Sequence, residues 1–298
     1  MIDRTTSLVL KDRVGETITG RIALASAAHH ITPCVHLIRC RDMVLDLDVS
    51  GQMVGEGFHG YGLVVDECEG VTAKGSFKSL HSGVIVRESS GVTISSSDFT
   101  GIRVDAVKFI DSRDVLIEGN SFADFAPIPT KCAIGSEVQR GLSKRACEAL
   151  GGVWTDGDHA DMIQGRGWSE NVTIRHNIGM PGQAVQGVFI SDPTGIGHVN
   201  VRIEDNLFTS LHPNGIVVDG GTNAVAAGNT ILSPEGHPYR PQIRGTSGTN
   251  EVRIVPVSGI EAARLAWMKA QRPSEREQKL VEIREAHRRL GEMIEALG

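Results

Sequence analysis

The chain has 298 residues, enough for one elongated domain or two compact ones. A net charge of −6 and a pI near 6.0 offer nothing to a nucleic-acid backbone, so no nucleic-acid partner is expected. No run approaches the roughly 18 apolar residues of a membrane span.

The N-terminal text MIDRTTSLVLKDRVGET carries Asp3, Arg4, Lys11, Asp12 and Arg13 and has no apolar core segment. It does not read as a signal peptide. A virion tail or the cytoplasm is therefore the expected location, or secretion if the chain is a mature form. Residues 7–58 read as the first strands, with LVL, ETITG, VHLIR and MVLDLDV. An exposed first rung would be a sticky edge, so the N-terminal residues or a partner are expected to cap it.

From residue 62 the text repeats. VTAKGSF at 71–77 is followed by VTISSSDF, VLIEGNSF, VTIRHNI and VRIEDNLF, with AVAAGNTI at 224–231 as a weaker copy. The fixed position is held by Ser76, Ser97, Asn120, Asn177, Asn206 and Asn229. Each copy follows a second short run: GLVVD, GVIVR, DAVKF, DMIQG, GVFIS or GIVVD. A period of roughly 20–30 residues with several short β runs predicts a parallel β-solenoid, one copy per rung. The stacked Asn/Ser column, expected at a tight turn where Asn tolerates the left-handed conformation, favours this over a sandwich.

In the second run, period-two alternation predicts Val107, Ile163, Phe189 and Val217 inward. Lys108, Gln164, Ile190 and Val218 then point outward, as do Ala106, Met162, Val188 and Ile216. Asp105 and Asp161 begin equivalent strands on adjacent rungs, about 4.8 Å apart.

The period breaks at an insertion of about 126–157, whose middle, GLSKRACEALGG, reads as a short helix with a Gly stop. Long loops on a solenoid commonly wall a cleft. Of the five cysteines, Cys34, Cys40 and Cys68 lie in strand-like text, while Cys132 and Cys147 share the insertion and could pair. Directly after it comes TDGDHADMIQ, which gathers Asp156, Asp158, His159, Asp161 and Gln164.

Several chemistries fit this cluster. Paired carboxylates at strand spacing match a retaining glycosidase, and close like charges raise one pKa, which suits a general acid. Alternatively Lys108 or His159 abstracts a proton α to a uronate carboxyl, with Arg166 or a bound cation neutralising the charge. Calcium held by Asp156, Asp158 and Asp161 is a further reading, and no other metal or cofactor is expected. The bland reading makes Asp161 a turn cap. Asp192 and Asp219 end equivalent strands and either line the same groove or serve as turn residues. The catalytic candidates are Asp161, Asp105, Lys108 and His159. Gln164, Arg166, Trp154 and Trp168 are the substrate-binding candidates, the indoles offering faces for stacking.

The rungs over about residues 60–232, with His159, Asp161, Ile163 and Gln164 in a His-x-Asp-x-Ile-Gln rung, resemble the pectin-lyase-like right-handed parallel β-helix proteins. The resemblance implies an all-β solenoid and a polysaccharide partner, and leaves open lyase, hydrolase or purely structural tail protein. No Arg stands at the outward mid-rung position where many lyases of this fold place their base.

After residue 258 the text turns helical, giving a β-helix over 1–258 and a helical segment over 259–298. Ser274 and Glu277 form a capping box. Leu280, Ile283, His287, Leu290, Ile294 and Leu297 then make a heptad seam, read as a cap or as a coil that assembles a homo-oligomer, a trimer by analogy with side-by-side β-helices. Together these features suggest a glycan-engaging β-helix of tail-spike or tail-fibre type, contacting a polysaccharide and neighbouring tail proteins. A bacterial polysaccharide lyase or glycoside hydrolase, or a structural tail component, is the alternative.

Overall fold

The computed structural model describes residues 1–25, 29–135, 137–139, 144–180, 185–237 and 240–271. The chain divides into two units, Met1–Val255 and Pro256–Gly298.

The first unit is a solenoid of parallel strands on three faces. The first face stacks Leu8–Lys11, Pro33–Ile38, Tyr61–Asp66 and Ser82–Arg87 on the opening halves of Asp105–Glu118 and Asp161–Arg175. Gln186–Ser191, Asn214–Val218 and Gln242–Arg244 continue it. The long strands bend and carry their second halves onto the next face, where Val92, Val115, Val172 and Val201 align. The third face aligns Phe77, Phe99 and Phe122, whose rings stack at 5.0 and 5.3 Å. These residues are fully buried or nearly so and form one continuous apolar column inside the coil. Parallel pairing between consecutive copies excludes the sandwich.

Two corners are sewn by polar ladders. At one, the backbone N–H of Ser97, Asn120, Asn177 and Asn206 each donates to the side-chain oxygen of the next Asn, and Asn229 passes the ladder to Asn250. The Asn column is thus as expected from Ser97 onward, with two corrections. Ser76 lies outside it, because Ser97 registers with Gly75 and Ser76 with Asp98. The left-handed residue is also not the Asn but its predecessor, Ser96, Gly119, His176, Asp205 or Gly228. That preceding residue turns the chain and sends the Asn side chain into the core.

The other corner uses smaller groups. The Cys40 N–H donates to Cys68 Sγ, the Cys68 N–H to Ser89 Oγ and the Ser89 N–H to Ser112 Oγ. Ser169 and His198 extend this column, with Ser169 Oγ 2.7 Å from His198 Nδ1. Here Cys serves as a small buried acceptor, and burial pushes the Cys68 thiol up to about 11.

The first face corrects the predicted alternation on two rungs. Ile163 registers with Val188 and Ile216, while Gln164 registers with Phe189 and Val217. The inward residues are therefore Val107, Ile163, Val188 and Ile216, and Phe189 and Val217 share the outward column of Lys108 and Gln164. Ala106 and Met162, expected outside, are buried in the core, at the position the ladder skips between the Asp105–Asp161 and Val107–Ile163 pairs. Gly187 and Gly215 occupy the same position, just before Val188 and Ile216. A Cβ on Gly187 would lie 2.2 Å from the Gly215 carbonyl oxygen.

The insertion leaves the third corner. Lys131–Ile134 pairs antiparallel with Glu137–Gln139 and Val153–Thr155. The helix Lys144–Ala149 covers this small sheet, and the Cys132–Cys147 disulfide joins the two, Cα–Cα 5.6 Å. The bridge closes a loop of 15 residues. Replacing both cysteines with Ser should weaken the insertion by about 3 kcal/mol, read as faster amide exchange across 131–155. Thiol counting of the denatured, unreduced protein should find three thiols, and five would exclude the bond.

In the second unit a short 3-10 turn leads into the helix Ile260–Gln271, where Arg264 pairs with Glu261. The predicted capping box and the seam from Leu280 to Leu297 lie outside the described residues.

Candidate functional site

The strand starts of the first face carry one polar residue per rung: Tyr61, Ser82, Asp105, Asp161, Gln186 and Asn214. Each precedes the position the ladder skips, held by Gly62, Gly83, Ala106, Met162, Gly187 or Gly215. The next outward residues are Lys108 and Gln164, then Ile110 and Arg166.

Asp105 and Asp161 are in direct register, which puts their Cα atoms about 4.8 Å apart. Both are shut off from solvent, at 2% and 0% exposure. Lys108 Nζ lies 3.1 Å from Asp105 Oδ2, and Gln164 Nε2 donates to Asp161 Oδ2 at 2.6 Å. The same three-residue step thus gives one carboxyl a cation and the other a neutral amide. The Oδ1 atoms of both aspartates and Oε1 of Gln164 are buried without a hydrogen-bond partner.

Burial, then the charge of Asp105, pushes the Asp161 carboxyl up to about 8. Burial also raises Asp105, against the pull of Lys108 and then Arg166. Both carboxyls are thus pushed toward the protonated form, Asp161 with only a neutral amide in contact and Asp105 against the pull of Lys108. Two close carboxyls with unlike partners are the arrangement that separates an acid from a base.

Arg166 stands exposed on the outward side of the same rung. His159 is exposed at the end of the insertion, close enough to His212 to help depress that ring's pKa after burial. Trp154 sits in the insertion sheet, and its indole N–H donates to Asp156 at 2.6 Å. Trp168 lines a different cleft, with Glu88, Arg113 and Ile196. Asp192 is a turn residue: its carboxylate accepts from the Thr194 N–H at 2.7 Å and from the Gly197 N–H. Asp219 is exposed at its strand end.

The three aspartates read as a calcium set have separate partners. Arg103 grips Asp158 through two hydrogen bonds of 2.7 and 3.0 Å, and the Ile128 N–H adds a third of 2.7 Å. Asp156 holds the Trp154 indole and Asp161 holds Gln164. Among the described residues no group of three His, Cys, Asp or Glu is arranged to hold a metal ion.

Residues the sequence reading passed over complete the site. His81 packs against Tyr61 at 5.4 Å and His30 at 5.0 Å, with His59 6.0 Å from His30. Burial, then the nearby Arg103, lowers His81 to about 4. Asn214 donates to Gln186 at 2.8 Å and accepts from Arg244 at 2.7 Å. The signal for Tyr61, Ser82, Gln186 and Asn214 was the polar letter two places ahead of each inward aliphatic. The histidines come from the connections between the repeated strands and have no such signal.

Among the described residues no helix is long and apolar enough to cross a membrane. No curated protein sequence matches the chain. Among solved structures it is similar to PfbA, a surface adhesin of Streptococcus pneumoniae, at 11% identity and a TM-score of 0.49 over 84% of this chain. It is also similar to the enzymatically active domain of tailspike protein 2 of bacteriophage CBA120, at 15% identity and a TM-score of 0.30 over 83% of this chain. The chain spans 61% of the adhesin's length and 38% of the tailspike domain's. The family profile of the right-handed β-helix region matches residues 44–231, and the chain belongs to that family.

Proposed function

We propose that this chain engages a surface polysaccharide through the face over Asp105 and Asp161, as a β-helix of tail-spike or tail-fibre type. The observation that carries the reading is the carboxyl pair: adjacent in register, unlike in partner, with an unpaired oxygen on each. Asp161 holds the proton needed by a leaving glycosidic oxygen, and Asp105 is the carboxylate that attacks or activates water. Lys108, Gln164, Arg166 and His159 offer donors to sugar hydroxyls or carboxylates. The Cys132–Cys147 bridge suits work outside a reducing cytoplasm.

The burial of both aspartates favours a second reading, in which the pair is a structural rung sharing one proton and only the outer residues touch ligand. Incubation with purified capsular and O-chain polysaccharides separates the two. Chain shortening with new reducing ends supports hydrolysis, and an unsaturated end reassigns the reaction to elimination. Retention of a glycan without shortening leaves binding alone. Neither retention nor shortening on any glycan would remove the proposal.

A further inference from the structure

A separate cleft opens at the thiol–hydroxyl corner. Glu88, Asp111, Arg113, Trp168, Thr194 and Ile196 line a volume of about 560 Å³, inside the ~300–1,000 Å³ range of small-ligand sites. Trp168 lies seven residues beyond Asp161 along the same bent strand, past the left-handed turn at Gly167.

Backbone devices hold its walls. Gly167 has φ +72°, and a Cβ there would fall 2.0 Å from the Asp111 carboxylate. Without that Cβ, Asp111 closes on the strand and accepts the Trp168 N–H at 3.0 Å. Opposite, Asp192 gathers the Thr194 N–H and hydroxyl and the Gly197 N–H. This fixes the loop bearing Thr194 and Ile196. Ile196 is left 72% exposed, although it borders a concave surface.

The lining combines two chemistries. Trp168 and Ile196 supply flat and branched apolar surface, while Glu88, Asp111 and the Thr194 hydroxyl oxygen accept hydrogen bonds and Arg113 donates them. Two carboxylates repel a phosphate or sulfate. A wholly apolar ligand would strip water from those carboxylates with nothing returned. A pyranose meets both demands, with a C–H face for the indole and a rim of hydroxyls for the carboxylates. We infer that the corner cleft over Trp168 is a saccharide-binding site distinct from the Asp105–Asp161 row, taking an uncharged pyranose stacked on the indole. The inference rests on the glycan reading for its ligand class only, because none of its contacts belongs to that row.

Saturation-transfer NMR with methyl glycosides of glucose, galactose, mannose and N-acetylglucosamine, and with their disaccharides, provides the test. At least one of these sugars should receive saturation from the wild type and from Asp161→Asn. Its affinity should fall at least tenfold in Trp168→Ala, with the melting temperature unchanged, and be largely restored in Trp168→Phe. Should Trp168→Ala fail to fold, Ile196→Ser probes the opposite wall and should weaken the same sugar. If no sugar binds, or if all bind equally well without the indole, the inference is wrong. A sugar lost in Asp161→Asn but kept in Trp168→Ala also overturns it, while leaving the proposed function standing.

Discussion

Asp161→Asn should abolish cleavage of any polysaccharide the wild type degrades, by about a thousandfold or more in turnover, as expected for removing a general acid. It should also change how stability depends on pH. The folded carboxyl is raised to about 8, against about 3.9 in an unfolded chain. Between those values the native state keeps a proton that the unfolded state has released, so stability falls as pH rises. The contribution is fully present below pH 4 and exhausted above pH 8, a difference of several kcal/mol at roughly 1.4 kcal/mol per unit. Asn cannot titrate. The variant should therefore lie within ~2 kcal/mol of wild type near pH 5 and be clearly the more stable of the two at pH 8 and above. Denaturant melts at pH 5, 6.5 and 8 measure this. A wild type that instead becomes the more stable of the two as pH rises from 5 to 8 would mean Asp161 is ionised in the fold, and the acid role would go with it. Flattened stability combined with unchanged turnover would make the pair architecture.

How far the sequence carried depended on which side chains repeat with the rung. Val115, Val172 and Val201 recur in one frame, and so do Asn120, Asn177 and Asn206, so both the solenoid and the ladder were legible. Asp105 with Lys108 and Asp161 with Gln164 share a three-residue step, which located the carboxyl row. The frame failed at GVFIS and GIVVD because their outward residues, Phe189 and Val217, are as apolar as the inward ones. Period two has no contrast to read there. The thiol–hydroxyl corner was hidden by mixed chemistry, since Cys40, Cys68, Ser89 and Ser112 look unrelated until register stacks them. Arg103 and Asp158 stand 55 positions apart and meet only because the insertion folds back.

The largest loss of stability should follow Asn177→Ala. Asn177 Oδ1 accepts from both the N–H and Nδ2 of Asn120, each at 3.0 Å. Its own Nδ2 donates to the Ile117 carbonyl and to Asn206 Oδ1, each at 2.9 Å. All of these groups are sealed from water, with Asn177 and Asn206 at 0% exposure and Asn120 at 1%. Truncation strands two donors of Asn120 and the Ile117 carbonyl, each costing about 1–3 kcal/mol when buried unpaired. Asn206 Oδ1 still holds the Asn177 N–H at 3.0 Å, so the damage runs mainly toward the N-terminal rungs. A total of about 4 kcal/mol is expected, against about 1 kcal/mol for an exposed asparagine outside this ladder such as Asn200, whose amide bonds Asn171 in contact with water, replaced by Ala. Hydrogen exchange reads the direction: amides of 94–122 should lose protection before those of 201–231. Asn177→Asp keeps the acceptor but buries a charge and removes the donor, so it should not rescue the fold at neutral pH. Equal losses at Asn177 and Asn200 would mean the ladder contributes register and no stability of its own.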